Sequence, residues 1–437
     1  MPPAPKDAEA GQGISDPGGD PAPVPHGRRR AAFGFVFVTV AIDMLSVGIF
    51  VPVLPRLVAD FMGGDEPAAA TMYGLFGIAF ALMQFFFSPV QGALSDRFGR
   101  RPVILFSNLG VGLDYVVMAL APTIWWLLAG RVISGVASAS IATAFAYIAD
   151  VTEPEKRAAR FGMLGAAFGL GFVLGPAIGG LAGSVDPRLP FWIAAGLSLA
   201  NAAYGYFVLP ESLPPEKRAP LRLARANPLG ALTLLRSQPQ LLGLAGVWFV
   251  SQLAHFVLPS LGVLYLTFRY DWDARTIGFT MAAVGLGAVI VQGGLIGPGV
   301  RLLGERGALL LGATAGVIGL TIQGLAPHGW MFWLGIPFNS LWGFAHAAAN
   351  SLMSRRLGPS EQGRLQGANA CMMGIAGLIG PGLFSQVYAF ALAHPGAFPG
   401  PGAPFFVAVA LLLVAIALAV RATRSPPAGA AGDKVSS

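Results

Sequence analysis

The sequence predicts an all-α membrane protein whose twelve transmembrane helices form two pseudo-symmetric bundles of six. Three observations predict this fold class: the composition, a series of long apolar runs, and a repeat that relates the two halves of the chain. Of the 437 residues, 54% are hydrophobic and only 11% are charged. Soluble domains carry about 25% charged residues, so the composition excludes an ordinary soluble protein.

Twelve apolar runs are long enough to cross a membrane, since a bilayer core needs about 20 apolar residues per helix. They lie at 32–55, 72–94, 102–121, 123–149, 161–184, 189–209, 240–268, 274–299, 306–326, 328–352, 364–393 and 403–423. The longest polar gap separates the first six runs from the last six. We therefore predict a disordered, Pro- and Gly-rich tail, two six-helix bundles joined by a central loop, and a second tail, at 1–30, 31–209, 210–239, 240–423 and 424–437.

Basic residues fall in alternate loops between the apolar runs. The two tails and every second loop together hold 23 of the 28 Lys and Arg residues. Loops rich in Lys and Arg stay on the cytoplasmic side of a membrane. The pattern predicts that both termini are cytoplasmic. It also accounts for the net charge of +7 without a nucleic-acid partner.

A repeat at a constant offset of 205 residues relates the two halves. Glycines and prolines recur at this offset, in the pairs Gly92 and Gly297, Gly99 and Gly304, Gly130 and Gly335, Pro154 and Pro359, Gly162 and Gly367, Gly175 and Gly380, and Pro176 and Pro381. So many matches at one offset indicate a duplication. Parallel six-helix repeats are typical of transporters whose substrate site lies between the halves, near the membrane midplane.

Three ionisable residues lie deep in the apolar runs of the first half: Asp43, Asp114 and Arg131. The helical rise places each of them about 12 Å or more below the membrane surface. A charge at the centre of a helix costs about 2.5–3.5 kcal/mol on insertion scales, so such residues face a water-filled cavity or pair with each other. Because burial disfavours a charged carboxylate, the two aspartates are candidate proton carriers. The alternative is a structural Asp–Arg pair that never titrates.

None of these three residues recurs in the second half, where Trp248, Gly319 and Ile336 occupy the repeat positions. Such asymmetry is expected of a repeated scaffold with a one-sided ion-coupling site. Uncharged polar residues and histidines in the apolar runs are candidate contacts with a substrate or a proton. Many such side chains only bond neighbouring helices. The candidates are Gln84, Gln252 and His255, followed by Gln292, Asn339, His346 and Asn350.

The loop "GALSDRFGRRP" (92–102) joins the second and third runs and combines glycines, one acid and three bases. Its first glycine permits close helix approach and its second a tight reversal. Its aspartate can face the positive end of another helix, and its arginines can pair with acids or lipid phosphates. We predict a cytoplasmic gate formed by Gly92, Asp96, Arg97, Gly99, Arg100 and Arg101. The alternative is an orientation signal with no moving part.

The equivalent loop of the second half, "GPGVRLLGER", has Arg301 where Asp96 stands, and we predict a degenerate gate there. The fifth run, "GLGFVLGPAIGGLAG", carries a glycine every four residues. Small residues at this spacing let helix backbones pack closely, and proline adds a kink. We predict a packing seam, across which two helices rock, formed by Gly171, Gly175, Pro176, Gly179 and Gly183.

These motifs carry a family resemblance. "GALSDRFGRRPVIL" resembles the signature loop of the major facilitator superfamily, and "GLGFVLGPAIGG" resembles the motif typical of its proton-coupled antiporters. "PVLPRL", "GLDYVVMALAP", "GRVISGVASA" and "AYIADVT" resemble the tetracycline-resistance efflux pumps, densely over residues 40–210. The resemblance implies exchange of protons for a drug, in that family often tetracycline chelated to a divalent cation. By this resemblance Asp43 and Asp114 match aspartates needed for transport, and Asp96 and Arg97 match the gate.

The chain departs from these pumps at two positions. Where they carry an acidic residue in the ninth helix and a histidine in the eighth, both tied to proton coupling, this chain has Gly316 and Ala288. A related drug is therefore a candidate cargo beside tetracycline.

We expect a monomeric transporter in a bacterial-type inner membrane that expels a small amphipathic compound in exchange for protons. We expect no bound cofactor, and the only metal would be a divalent cation carried with the cargo. The chain shows no nucleotide loop, metal-ligand cluster or nucleophile paired with a base, so we do not expect an enzyme. Two rivals are a proton-coupled importer of a metabolite, which the fifth run disfavours, and a non-transporting sensor, which the gate loop and buried carboxylates disfavour.

Overall fold

The computed structural model describes residues 26–138, 140–152, 154–220, 230, 232–357, 361–394, 396 and 400–423. Much of the predicted tails and the middle of the predicted central loop lie outside these residues, at 1–25, 221–229, 231 and 424–437. Over the described ranges the chain is helical and contains no strand, which confirms the all-α prediction.

Seventeen α-helices occur in the described ranges. They are α1 (His26–Phe50), α2 (Leu54–Phe61), α3 (Glu66–Phe98), α4 (Arg100–Leu120), α5 (Ile124–Ala137), α6 (Ser140–Val151), α7 (Pro154–Val185), α8 (Leu189–Val208), α9 (Thr233–Ser237), α10 (Leu242–His255), α11 (Val257–Tyr270), α12 (Ala274–Ile290), α13 (Ile296–Leu325), α14 (Gly329–Leu341), α15 (Gly343–Ser354), α16 (Gln362–Ala393) and α17 (Ala403–Ala422). The first helix begins inside the segment predicted as a tail, 1–30. A π-helical turn, Val291–Leu295, continues α12 into α13.

These helices make the twelve predicted membrane crossings. Among the described residues, nine helical stretches are long and apolar enough to span a bilayer. One of them, Ala274–Leu325, has 52 residues and holds two crossings, because the chain reverses at Gly304, where φ is 68° and ψ is 166°. Two further crossings are each built from two short helices, α5 with α6 and α14 with α15. We number the crossings as spans one to twelve.

The same spans pack together in each half. In the first half α1 packs on α7 and α8, and in the second half α10 packs on the equivalent helices α16 and α17. Likewise α4 packs on α5 and α8, as α13 does on α14 and α17. This recurrence confirms two pseudo-symmetric six-helix bundles.

Interruptions of the helices also recur at the repeat offset. The first span is interrupted between Phe50 and Leu54, and the seventh at Phe256, which aligns with Val51. The tenth span is interrupted at Trp342, which aligns with Ala137, the last residue of α5 in the fourth span. Irregular backbone inside a membrane is tolerated where it is buried in protein or lines a cavity. The breaks therefore mark positions that face the protein interior.

Most contacts between the halves are made by two pairs of helices, α7 with α12 and α3 with α16. We call the end of the bundle that carries residues 92–102 the basic face and the other end the opposite face. Near the opposite face the fifth and eighth spans touch through backbone, since a Cβ on Gly278 would lie 2.9 Å from Gly180 Cα.

The same face of the eighth span continues toward the basic face at Gly293 and Gly297. There, no described atom lies within 4 Å of where a Cβ would sit. Near the opposite face the halves therefore meet through backbone, whereas near the basic face no described atom packs against these two glycines.

The glycine contacts of the fifth span predict a large effect from one methyl group. A Cβ on Gly179 would meet the backbone carbonyl oxygen of Ile49, which cannot rotate away. We expect Gly179→Ala to lower the free energy of unfolding by about 1–3 kcal/mol through overpacking, measured by thermal or denaturant unfolding of the purified protein in detergent.

Gly196→Ala is the matched control, because a Cβ there meets no described atom within 4 Å. Alanine is the better helix former, so this variant should be unchanged or slightly more stable. Equal stability of the two variants would contradict the close contact between the first and fifth spans.

Candidate functional site

Asp114 of α4 is fully buried in the first half, with 0% of its surface exposed. One carboxyl oxygen, Oδ2, accepts a hydrogen bond from the Ser134 hydroxyl of α5. The other, Oδ1, has no hydrogen-bond partner among the described residues. It packs against Gly130, where a Cβ would lie 2.6 Å away. The site thus holds a carboxyl group with one bonded and one open oxygen.

Arg131 lies one turn before Ser134 on α5 and is also buried, with 9% exposed. Its guanidinium carbon lies 4.4 Å from the ring centroid of Phe80 and 5.3 Å from that of Phe50. Aromatic faces attract cations by about 0.5–2 kcal/mol. Among the described residues, no carboxylate oxygen lies within 4 Å of this guanidinium. The structural Asp–Arg pair that was the alternative interpretation is therefore absent from this conformation.

Asp43 of α1 differs from Asp114 in its accessibility. Its side chain is partly exposed, and its Oδ1 accepts a hydrogen bond of 3.1 Å from Nδ2 of Asn201 in α8. The same amide nitrogen donates to the backbone oxygen of Thr39, also at 3.1 Å. Sequence reasoning treated the two aspartates as equivalent. Packing separates them into one accessible and one enclosed carboxyl group.

The remaining predicted pathway residues lie on two helices, α3 and α10. Gln84 of α3 and Gln252 of α10 are partly exposed and make no hydrogen bond to another described residue. His255, at the end of α10, is exposed, and its ring centroid lies 5.6 Å from that of His346. No pattern in the sequence indicates that these two histidines, 91 residues apart, would meet.

Two polar candidates of the second half bond neighbouring helices instead. Asn339 donates to Gln323 Oε1 at 2.7 Å, and Asn369 donates to Asn350 Oδ1 at 2.9 Å. Gln292 is exposed in the π-helical turn.

The predicted gate loop reverses the chain at Gly99, where φ is 107°. We expected Asp96 to face the N-terminus of another helix. Instead, its Oδ1 lies 2.5 Å from Arg100 Nη1. Gly92 does not contact another helix either, since a Cβ there would meet no described atom within 4 Å. Arg97 is exposed.

A residue that sequence reasoning missed completes this loop. The Glu211 carboxylate accepts hydrogen bonds from the backbone N–H groups of Arg100, at 2.8 Å, and Arg101, at 3.3 Å. The first N–H groups of a helix have no partner within it, so Glu211 caps α4. Arg101 also donates to the backbone oxygen of Tyr206 at 2.6 Å. The start of the predicted central loop is therefore attached to the gate loop.

The equivalent loop of the second half differs from the predicted degenerate gate, because it keeps one ion pair of the first-half loop. Arg100 Nε lies 3.3 Å from Asp150 Oδ2 in the first half. At the repeat offset of 205, these residues become Glu305 and Arg355, and Arg355 Nε lies 2.9 Å from Glu305 Oε1. The ion pair is retained with its charges exchanged. We call the two pairs the first-half latch and the second-half latch.

The predicted glycine seam of the fifth span packs on the first span along its whole length. A Cβ added at Gly171, Gly175, Gly179 and Gly183 would contact Met44, Gly48, Ile49 and Val53, respectively. Pro176 lies within α7, and its backbone oxygen faces Gly278 of the eighth span. Sequence reasoning missed Gly180, which forms a second face against α12. The fifth span is thus held on two sides by backbone contact.

The two latches differ in exposure, which predicts different strengths. Side-chain exposure is 11% and 25% for Arg100 and Asp150, but 75% and 11% for Arg355 and Glu305. Solvent-exposed ion pairs contribute about 0–1 kcal/mol, whereas hydrogen bonds to charged groups that are shielded from water contribute about 1.5–3 kcal/mol. We expect double-mutant cycles to alanine, read by unfolding in detergent, to give the larger coupling energy for the first-half latch.

The same cycles at 0.05 and 0.5 M salt provide the control, because screening weakens the exposed pair more than the shielded one. A larger coupling energy in the second-half latch would contradict this assignment.

Comparisons with known proteins agree with this architecture. Residues 36–381 match the family model of the Major Facilitator Superfamily. The tetracycline resistance protein, class C, of Escherichia coli is 37% identical over 378 residues, which are 86% of this chain and 93% of that protein. The class D protein of Salmonella ordonez is 33% identical over 351 residues, or 80% and 88% of the two chains.

Solved structures show the same fold. The crystal structure of a human organic anion transporter matches with a TM-score of 0.66 and 25% identity, covering 90% of this chain and 99% of that one. The crystal structure of a nucleoside transporter matches with a TM-score of 0.71 at 11% identity, covering 90% and 100%. With its twelve spans, its repeated bundles and relatives that match over most of their length, this chain belongs to the major facilitator superfamily and resembles the tetracycline resistance proteins within it.

Proposed function

We propose that this protein exports a small amphipathic drug across a bacterial inner membrane in exchange for protons, by alternating access. A tetracycline chelated to a divalent cation is the first candidate cargo, because the relatives that align over most of this chain are named for resistance to tetracycline. The observation that carries the proposal is Asp114, a fully buried carboxyl group with one open oxygen and no counter-ion within 4 Å among the described residues.

Proton binding at Asp114 would remove a charge that the surrounding protein does not neutralise. Burying an unpaired carboxylate is costly, and either a proton or a cation relieves the cost. Arg131 is the nearby cation, held over two aromatic rings rather than against the carboxylate. In our proposal the guanidinium moves to Asp114 when the proton leaves. The two protonation states would then favour different arrangements of α4 and α5.

Asp43 is the accessible carboxyl group and would exchange with water or cargo between the halves. Its partner Asn201 donates through an amide N–H, which suits the ionised carboxylate. Protons and cargo can shift the equilibrium between the two conformations only by binding one of them more tightly than the other. If protons and cargo both need Asp43 and Asp114 in order to bind, this competition would provide that difference in affinity.

The distribution of Lys and Arg supports a cytoplasmic position of the basic face. With this orientation both termini are cytoplasmic, and the described conformation opens toward the cytoplasm. Closure would bring the halves together at the basic face, where Gly92 and Gly297 now have no described neighbour within 4 Å of a Cβ. We expect Asp96 to exchange Arg100 for a partner in the second half in that state. The described seam, with protein on both sides of α7, would let the fifth span rock without leaving its neighbours.

Proton release from inside-out vesicles tests the proposal. We expect tetracycline with magnesium to release protons from vesicles that contain the wild-type protein, and we expect Asp114→Asn to reduce the rate at least tenfold. Asparagine keeps the shape of the side chain but cannot carry a proton. Asp43→Asn should reduce the rate as well, because the accessible carboxyl group is the proposed exchange point.

Asp60→Asn is the matched control, since Asp60 is an exposed carboxylate at the end of α2. Wild-type rates in Asp114→Asn and Asp43→Asn would refute the assignment of the proton site. If folded wild-type protein gives no response to tetracycline, that cargo is excluded, and a panel of other amphipathic drugs then tests the antiport itself.

A further inference from the structure

Two helix breaks of the second half meet inside the membrane. The seventh span is interrupted at Phe256, directly after His255, and the tenth at Trp342. The Trp342 indole N–H donates to the Ser251 hydroxyl at 2.9 Å, which joins the two spans. The Trp342 ring centroid lies 5.3 Å from that of His255 and 5.8 Å from that of His346. We call His255, Trp342 and His346 the imidazole cluster.

Both imidazoles of this cluster are available to a ligand. His255 is an exposed residue at the end of α10, so its imidazole is not enclosed by packing. His346 is only partly exposed, and its buried Nε2 atom has no hydrogen-bond partner among the described residues. It lines a small cavity together with Ser251 and Ala313. An unsatisfied buried nitrogen is costly, and a polar group of a ligand would satisfy it.

The repeat shows that these side chains are particular to the second half. At the offset of 205, His255, Trp342 and His346 align with Phe50, Ala137 and Ile141, all apolar, whereas Ser251 aligns with another serine, Ser46. In the first half Phe50 supports the Arg131 guanidinium. The residue before the break is therefore a ring that supports a guanidinium in the first half, and an imidazole in the second.

Packing excludes an acidic side chain from the ninth span at this level. Gly316 of the ninth span packs against Trp342 of the cluster. A Cβ on Gly316 would lie 3.0 Å from Cγ of Trp342 and 2.9 Å from Leu412 Cδ1. The indole of Trp342 thus fills the space that such a side chain would need. The imidazoles of His255 and His346 contact the same indole from other directions.

From this geometry we propose that the imidazole cluster is a cargo subsite in the second half. His255 and the Nε2 atom of His346 bind an oxygen substituent of an aromatic cargo, such as a carboxylate or an ionised enol. Trp342, which is 2% exposed, is a positioning residue, because its bond to Ser251 holds the two breaks and hence the two imidazoles together. The proposal rests on the proposed export function only for the identity of the cargo.

Equilibrium binding to the purified full-length protein tests the subsite with two probes. The first is tetracycline with magnesium, and the second is salicylate, a small aromatic ring with a carboxylate and a phenol. Quenching of tryptophan fluorescence reports binding near Trp342. We expect His255→Leu and His346→Leu each to raise the Kd at least tenfold. We expect His255→Gln, which keeps an N–H donor, to retain part of the affinity.

The transport assay then distinguishes binding from a general defect. We expect His255→Leu to raise KM in inside-out vesicles and to leave the rate at saturating drug within about threefold of wild type. Trp342→Phe, which lacks the indole N–H, should raise KM in the same direction. His328→Gln, an exposed histidine at the opposite face, is the control and should behave as wild type.

Two results separate this proposal from the proposed function. If salicylate binds in a manner that depends on His255 and His346 but tetracycline does not bind, the subsite stands and the cargo assignment fails. If neither probe binds to the folded wild-type protein, or if both histidine variants bind with the wild-type Kd and unchanged melting temperature, the subsite is refuted.

Discussion

The absence of water in the bilayer core is the constraint on which the rest of this structure depends. Every polar group inside the spans must find its partner within the protein. The chain meets this requirement with few polar atoms: one hydroxyl for Asp114, one amide for Asp43 and two aromatic rings for Arg131. Because each of these groups has so few partners, we propose that the loss or gain of a single proton changes which arrangement of helices satisfies them.

Backbone features recur in the two halves of the protein, but ionisable side chains inside the membrane do not. Backbone features recur at the offset of 205, including the reversals at Gly99 and Gly304 and the breaks of the first and seventh spans. These features depend on glycine, proline and helix packing, which both halves need equally. Ionisable side chains do not recur, since uncharged residues align with Asp43, Asp114 and Arg131 in the second half. A half can therefore change its chemistry without disturbing the scaffold.

Sequence patterns predicted the architecture because apolar length, loop charge and small-residue spacing are local properties. The twelve spans and the seam at Gly179 follow from residues close together in the chain, and the repeat follows from aligning the two halves of the sequence. Contacts between distant residues could not be read in this way. Nothing in "LPES" indicates that Glu211 caps a helix 111 residues earlier, and no pattern places His255 beside His346. The state of the gate was also inaccessible to sequence reasoning, since it depends on contacts between distant parts of the chain.

The exchanged charges of the two latches have a consequence for how the halves approach each other. If the duplication were perfect, residues related by the pseudo-two-fold axis would carry the same charge. Two such residues would repel each other within a Debye length, about 8 Å at physiological salt. Here Arg100 is related to Glu305, and Asp150 to Arg355. Symmetry mates therefore attract. The exchange of charges makes the two loops complementary to each other, as the two different subunits of a heterodimer are.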